Sequence, residues 1–242
     1  MSGVTIKSAI KKTLRENQGE RAVSFEFEGQ RYWLKQIEQP TGAMRWLKAN
    51  PIKSLRLEIA SLQTFQQTNA PVAKLIDFGD NYLVVSDVGH SLNQFLFTDS
   101  SADEKQASLI ASAVALAKLH QQGFSHGRPV LRDICWKEGH AFFIDFESHQ
   151  LGTDIDKQQQ RDLLVYIHSL FRYLGPQLDI IDPVIEAYRL HGGESIWQAS
   201  QSKILRWHWV QYLFLPFKNF GGKDLRPVYW LFRHFKLAGK LS

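Results

Sequence analysis

The chain has 242 residues, 44% of them hydrophobic, and its 29 Lys and Arg against 24 Asp and Glu leave a net charge of +5. That length and apolar content suffice for a sizeable core in one large domain or two packed lobes. No run approaches the roughly 20 uncharged apolar residues of a bilayer span, Met1-Ser2-Gly3-Val4 lacks the apolar core of a signal peptide, and Cys135 is a lone cysteine, so a cytoplasmic protein without disulfides or a structural zinc is expected.

In chain order, Ile6 to Arg15 is a basic segment with helical potential. Val23-Ser24-Phe25-Glu26-Phe27 alternates apolar and polar residues, Glu28-Gly29-Gln30 turns, and Tyr32-Trp33-Leu34-Lys35 resumes, which is a hairpin pattern. After Pro51, Leu55, Glu58, Ile59, Leu62 and Phe65 recur at three and four residues, the spacing of one helix face. Ala73 to Gly79 and Tyr82 to Asp87 are β-rich runs joined by Gly79-Asp80-Asn81. Beyond Gly89 the pattern turns helical. Ser101-Ala102-Asp103-Glu104 has capping-box spacing ahead of a stripe of Leu109, Ile110, Ala113, Val114 and Ala117. A second hairpin returns along Ala141-Phe142-Phe143-Ile144-Asp145. Leu163 to Leu174 then marks a helix stopped by Gly175-Pro176, with further helices expected after it.

The stretch richest in chemistry is His126-Gly127-Arg128-Pro129-Val130-Leu131-Arg132-Asp133, followed across an apolar strand by Asp145-Phe146-Glu147. Together with Lys35 on a strand and Glu58 on the next helix, its order and spacing resemble the protein-kinase-like superfamily. The likeness is to its small bacterial members in particular, the lipopolysaccharide-core (Kdo/heptose) kinases and aminoglycoside-type phosphotransferases, over roughly residues 25 to 171.

The resemblance implies an α+β, two-lobed protein-kinase-like fold, with a β-rich N-lobe over residues 1–89 and a helical C-lobe over residues 90–242. It implies ATP and Mg²⁺ as cofactors. Lys35 is then the strand lysine on the nucleotide phosphates, Glu58 its ion-pair partner, Val88-Gly89 the hinge, Asp133 and Asp145 the metal ligands, and Asp162 the helix acid that steadies the loop. Phosphoryl transfer asks a protein mainly to position two substrates and neutralise phosphate charge, so a lysine and hard carboxylate oxygens carry most of the work.

Three departures from the family pattern matter. Asp133 stands where the family places Asn, a change that keeps an oxygen ligand and adds charge. Arg128 stands where the family places the catalytic Asp, and a guanidinium cannot accept a proton, which leaves Arg128 to contact a phosphate or to pair with Asp133 or Asp145. No Gly-rich loop precedes the first hairpin, only Gln18-Gly19-Glu20.

Two functions therefore stay open: an ATP- and Mg²⁺-dependent phosphotransferase acting on a sugar or glycolipid hydroxyl at the cytoplasmic membrane face, and a catalytically inactive kinase fold serving as a binding or regulatory module. A protein substrate is disfavoured, since no Ala-Pro-Glu-like motif follows Asp145. The last forty residues add a further expectation. Lys203, Arg206, Lys218, Lys223, Arg226, Arg233, Lys236 and Lys240 face only Asp224 there, interleaved with Trp207, Trp209, Tyr212, Phe214, Phe217, Phe220, Tyr229, Trp230, Phe232 and Phe235. That mixture suits an anionic membrane surface, the other reading being helical core with solvated charges. A nucleic-acid partner is disfavoured for want of a binding motif.

Overall fold

The computed structural model describes residues 5–37, 51–146, 154–207, 209–215 and 222–238. Several residues singled out in the sequence, namely Met1 to Val4, Glu147, Phe217, Lys218, Phe220 and Lys240, lie outside these. The fold is α+β, with a sheet region and a helical region. The chain divides into two compact units, Met1–Val88 with Asp145–His149, and Gly89–Ile144 with Gln150–Ser242.

The first unit begins with α1 (Ile6–Glu16), whose N-terminus is capped by the Thr5 hydroxyl accepting the Ser8 amide. Strands β1 (Ala22–Phe27) and β2 (Gln30–Gln36) follow, joined by Glu28 and Gly29 with φ of 48° and 75°. Two successive left-handed residues make the tight hairpin turn whose twist matches its strands. Helix α2 (Pro51–Gln67) comes next, then β3 (Leu75–Phe78) and β4 (Tyr82–Ser86). The sheet is antiparallel in the order β1-β2-β4-β3, with Lys35 opposite Ala22 on one side and Leu83 on the other.

Period-two alternation gives β2 two functions. Tyr32 and Leu34 turn to one face, where they bury with Val84 and with Ile10 of α1. Trp33 and Lys35 alternate to the other. Helix α2 packs against β3 and β4 and buries Leu55, Glu58, Ile59, Leu62 and Phe65, the face that its spacing predicts. The position of Glu58 on that face is what brings a carboxylate into the interior of the unit.

The second unit opens with β5 (His90–Ser91), α3 (Leu92–Phe95) and α4 (Ala102–Gln121). Gly89 has φ +87°, and a Cβ there would overlap the Trp136 carbonyl oxygen, so the close approach of the two backbones requires glycine. The expected capping box is formed in both directions between Ser101 and Glu104. The buried stripe of α4 sits slightly to one side of the expected one: Leu109, Ala113 and Ala117 are buried with Ser112, Leu116 and Leu119, while Ile110 and Val114 are only half-buried.

Strands β6 (Ile134–Lys137) and β7 (His140–Phe143) pair with β5 in the order β5-β6-β7. The return strand ends before Asp145, whose φ of 70° departs from extended backbone. Among the described residues, helices α5 (Ile155–Leu174), α6 (Leu178–Tyr188), α7 (Glu194–Arg206), α8 (Val210–Phe214) and α9 (Gly222–Ala238) follow in the same unit. Among the described residues no helix is long and apolar enough to cross a membrane.

The helices are tied by polar as well as apolar contacts. Ser112 on α4 lies 2.6 Å from the Tyr166 hydroxyl on α5, and His120 Nδ1 on α4 lies 2.8 Å from the Tyr188 hydroxyl on α6. Burial drives both phenols far above the usual tyrosine range, so they remain protonated and hydrogen-bonding. Helix α9 is held on α5 and α7 by Phe235 stacked 4.5 Å from Trp197 and by the Arg172–Asp224 ion pair.

His234, beside Phe235, packs among Phe171 and Trp197 with the Asp182 carboxylate 3.5 Å away. Burial holds its pKa below the ordinary 6.5, partly opposed by Asp182. A histidine harder to protonate folded than unfolded contributes stability that is full above its unfolded pKa and lost as pH falls through that value toward the folded one. The thermal midpoint is expected to fall between about pH 7.5 and about pH 5.5, and His234→Phe to flatten that fall in circular-dichroism melts. An equal slope in the variant would remove His234 as its source.

Candidate functional site

In the first unit, three segments distant in sequence deliver charged groups to one place. Lys35 Nζ lies 2.6 Å from Glu58 Oε1 and 3.7 Å from Asp145 Oδ1. The Glu58 side chain is only 4% exposed and that of Lys35 22%, so this is a largely desolvated ion pair. Such a pair restricts conformation more than it stabilises, because the desolvation of both charges offsets most of their attraction.

Asp145 is placed by its neighbours in the chain. Its left-handed φ is uncommon for a residue with a Cβ, and aspartate is among the few that tolerate it. The next residue, Phe146, is fully buried with its ring 4.7 Å from Phe65. Phe65 lies two turns beyond Glu58 on the same face of α2, so one helix both fixes the lysine partner and anchors the segment that carries Asp145. Asp145 Oδ1 is buried with no hydrogen-bond partner among the described residues.

In the second unit, the His126–Asp133 loop is held by α5. Asp162, fully buried, accepts the amides of His126 at 2.5 Å and Gly127 at 2.9 Å. Ser169 accepts the Leu131 amide, and Gln159 donates to the carbonyls of His120 and Phe124. His126 Nδ1 accepts the Arg128 amide at 3.2 Å, which leaves the proton on Nε2 to donate to the Ile144 carbonyl at 2.9 Å. Its place is structural, linking the loop to the end of β7.

The Asp133 carboxylate is buried between two guanidinium groups, with Arg128 Nη2 at 3.4 Å and Arg132 Nε at 3.3 Å. Arg128 Nε is buried and donates to nothing among the described residues, while the side chain as a whole is 43% exposed. Of the five residues singled out for chemistry, the structure thus brings Lys35, Glu58 and Asp145 together in one unit, and Arg128 and Asp133 together in the other.

The donor set bears on the implied Mg²⁺. Asp145 Oδ1 is a hard oxygen with unused acceptor capacity, which fits a divalent cation, whereas Asp133 is already neutralised by arginines. Among the described residues no three His, Cys, Asp or Glu gather as a cation cage. A phosphate-bridging Mg²⁺ does not require one, since it keeps several waters and takes one or two carboxylates with the substrate phosphates.

The residues that hold the loop were not singled out in the sequence, apart from Asp162. Gln159, Asp162, Tyr166 and Ser169 recur at three and four residues and are all buried, a polar stripe inside the apolar face of α5. That periodicity is the signal by which they could have been found.

Lys35→Met is expected to cost about 3–5 kcal/mol in urea unfolding, because it strands the Glu58 charge without its ammonium partner. The double variant Lys35→Met/Glu58→Gln should recover part of that loss. Additive single and double effects would show that the pair is not an energetic unit.

No family model matches the chain. It is 35% identical over 233 residues to an uncharacterized protein of Haemophilus influenzae, an alignment that covers 96% of each chain. With that identity sustained from one end to the other, the chain belongs to the same family as the Haemophilus influenzae protein.

Proposed function

We propose that the protein is an ATP- and Mg²⁺-dependent phosphotransferase with a two-lobed protein-kinase-like fold, acting in the cytoplasm on the hydroxyl of a sugar or glycolipid. The observation that carries this reading is Lys35 Nζ set 2.6 Å from Glu58 and 3.7 Å from Asp145, a lysine held in position by one carboxylate beside a second carboxylate with a spare oxygen.

In this reading Glu58 fixes the lysine ammonium, which neutralises nucleotide phosphate charge, and Asp145 offers Oδ1 to the cation. Mg²⁺ bound with the nucleotide would supply charge neutralisation on the phosphoryl group in transfer. Arg128 cannot act as a base; the exposed part of its guanidinium is suited to a phosphate oxygen. A loose transition state places little demand on a base, so Asp133, oriented by Arg128 and Arg132, suffices to position an acceptor hydroxyl.

A second reading rests on a specific observation. The turn joining β1 and β2 is two residues long, with no glycine-rich loop to cover phosphates, and Asp133 is engaged by two arginines. Both features favour a catalytically inactive kinase fold that binds a nucleotide or a partner.

Mg²⁺-ATP at about a hundred times its dissociation constant is expected to stabilise the protein by about 2.7 kcal/mol, read as a raised thermal midpoint. Asp145→Asn should abolish the Mg²⁺-dependent part. Turnover with sugar and glycolipid acceptors should fall sharply in Arg128→Ala and recover partly in Arg128→Lys, which lacks the bidentate fork. Mg²⁺-ATP binding without any turnover would favour the inactive-fold reading. No stabilisation by nucleotide, with or without Mg²⁺, would overturn the phosphotransferase.

A further inference from the structure

The aromatic residues near the C-terminus divide into two populations. Phe235 is fully buried against Trp197, and Tyr229, Trp230 and Phe232 are half-buried on α9. By contrast, Trp207, Trp209, Tyr212 and Leu213 are 50–60% exposed, and Leu215 is 43% exposed. These five lie within nine residues at the end of α7 and along α8, with the two indoles 6.2 Å apart. Of the two readings left open by the sequence, helical core describes Phe235, while Trp207, Trp209 and Tyr212 are exposed.

Cations border the exposed group. Lys203 and Arg206 are exposed on the last turn of α7, and Lys236 of α9 places its ammonium 5.8 Å from the Tyr212 ring. The single acid of the last forty residues, Asp224, is engaged by Arg172. An exposed apolar patch of this kind marks an interaction surface, and its chemistry restricts the partner. A second copy docked face to face would bring one basic surface against another. A phosphodiester backbone has no use for Leu213 and Leu215, which instead match acyl chains, while tryptophan and tyrosine rings settle at head-group depth and Lys or Arg meet lipid phosphates.

We propose that Trp207, Trp209, Tyr212 and Leu213, flanked by Lys203 and Arg206, form a docking surface for an anionic lipid bilayer, on which the protein lies peripherally without spanning it. The inference stands on this patch alone and does not depend on phosphotransfer. It does explain how a chain without a spanning helix among its described residues would meet a glycolipid acceptor.

The test is co-sedimentation of the full chain with phosphatidylcholine vesicles, with and without phosphatidylglycerol. Binding is expected only to the anionic vesicles and should weaken as salt rises. Each of Lys203→Gln and Arg206→Gln should weaken it about fivefold, and Trp207→Ser/Trp209→Ser should weaken it at least as much. All four side chains are exposed, so the circular-dichroism spectrum should be unchanged, and the Mg²⁺-ATP thermal shift of these variants should match that of the wild type. That separates failure here from failure of the nucleotide site. The charge variants and the salt series decide the matter even if the tryptophan variant does not fold. Equal sedimentation with neutral vesicles, none with either, or binding unaffected by the substitutions would overturn the proposal. So would self-association of the wild type that Trp207→Ser/Trp209→Ser abolishes, or retention on nucleic acid in place of vesicles.

Discussion

The second unit depends on one buried carboxylate. Asp162 has no access to water, and a charge in that position must be met by donors or the helix that carries it cannot fold there. The amides of His126 and Gly127 meet it, so the loop is drawn onto α5 by the same bonds that make Asp162 tolerable. Those amides fix the backbone from which Arg128 leaves. Downstream, Ser169 holds Leu131, and the Asp133 carbonyl accepts the Ile144 amide, so the loop is bound at its entry, middle and exit. Each of these bonds ties a loop backbone group to a buried partner, and such buried bonds restrict the loop to one arrangement.

The first unit solves a related problem with opposite charges. Glu58 is buried on the core-facing stripe of α2, and Lys35 reaches it from the face of β2 opposite Leu34 and Tyr32. Neither residue contributes much net stability, yet each makes the other's burial possible. The arrangement resists displacement, because separating the charges leaves one desolvated. Asp145 joins them through a strained backbone whose cost is offset by the burial of Phe146 against Phe65. Asp145 Oδ1, 3.7 Å from the Lys35 ammonium, has no hydrogen-bond partner among the described residues.

Charge in the C-terminal helices follows a different logic. Helix α9 is anchored by Phe235 on Trp197, by the Asp224 carboxylate on Arg172 and by the Asp224 carbonyl on His168, which engages the one acid of the last forty residues in holding the helix down. Lys203 and Arg206 stay exposed on the last turn of α7, which leads directly to the exposed indoles of Trp207 and Trp209. Stability and surface character are thus set together: an acid at another position would weaken the positive face and leave α9 less firmly attached.

Much of the local structure was legible in the sequence. The period-two run of β1 and β2, the three-and-four spacing of α2 and the Ser101–Glu104 box all depend on contacts within a few residues, and those rules act before any tertiary packing forms. Lys35, Glu58, Asp133 and Asp145 could be chosen because their chemical types and chain order were informative. The sequence left Arg128 a choice between a phosphate, Asp133 and Asp145, and could not say that it pairs with Asp133, that Arg132 joins it, or that Asp145 has a left-handed backbone with Oδ1 near Lys35. It could not divide the aromatic residues after Trp197 into core and surface, because ring burial is decided by which helix lies opposite. Sequence alone determined the elements and the inventory of charged groups. Tertiary structure decided which charges meet, since pairing and burial depend on distances between segments that only packing brings together.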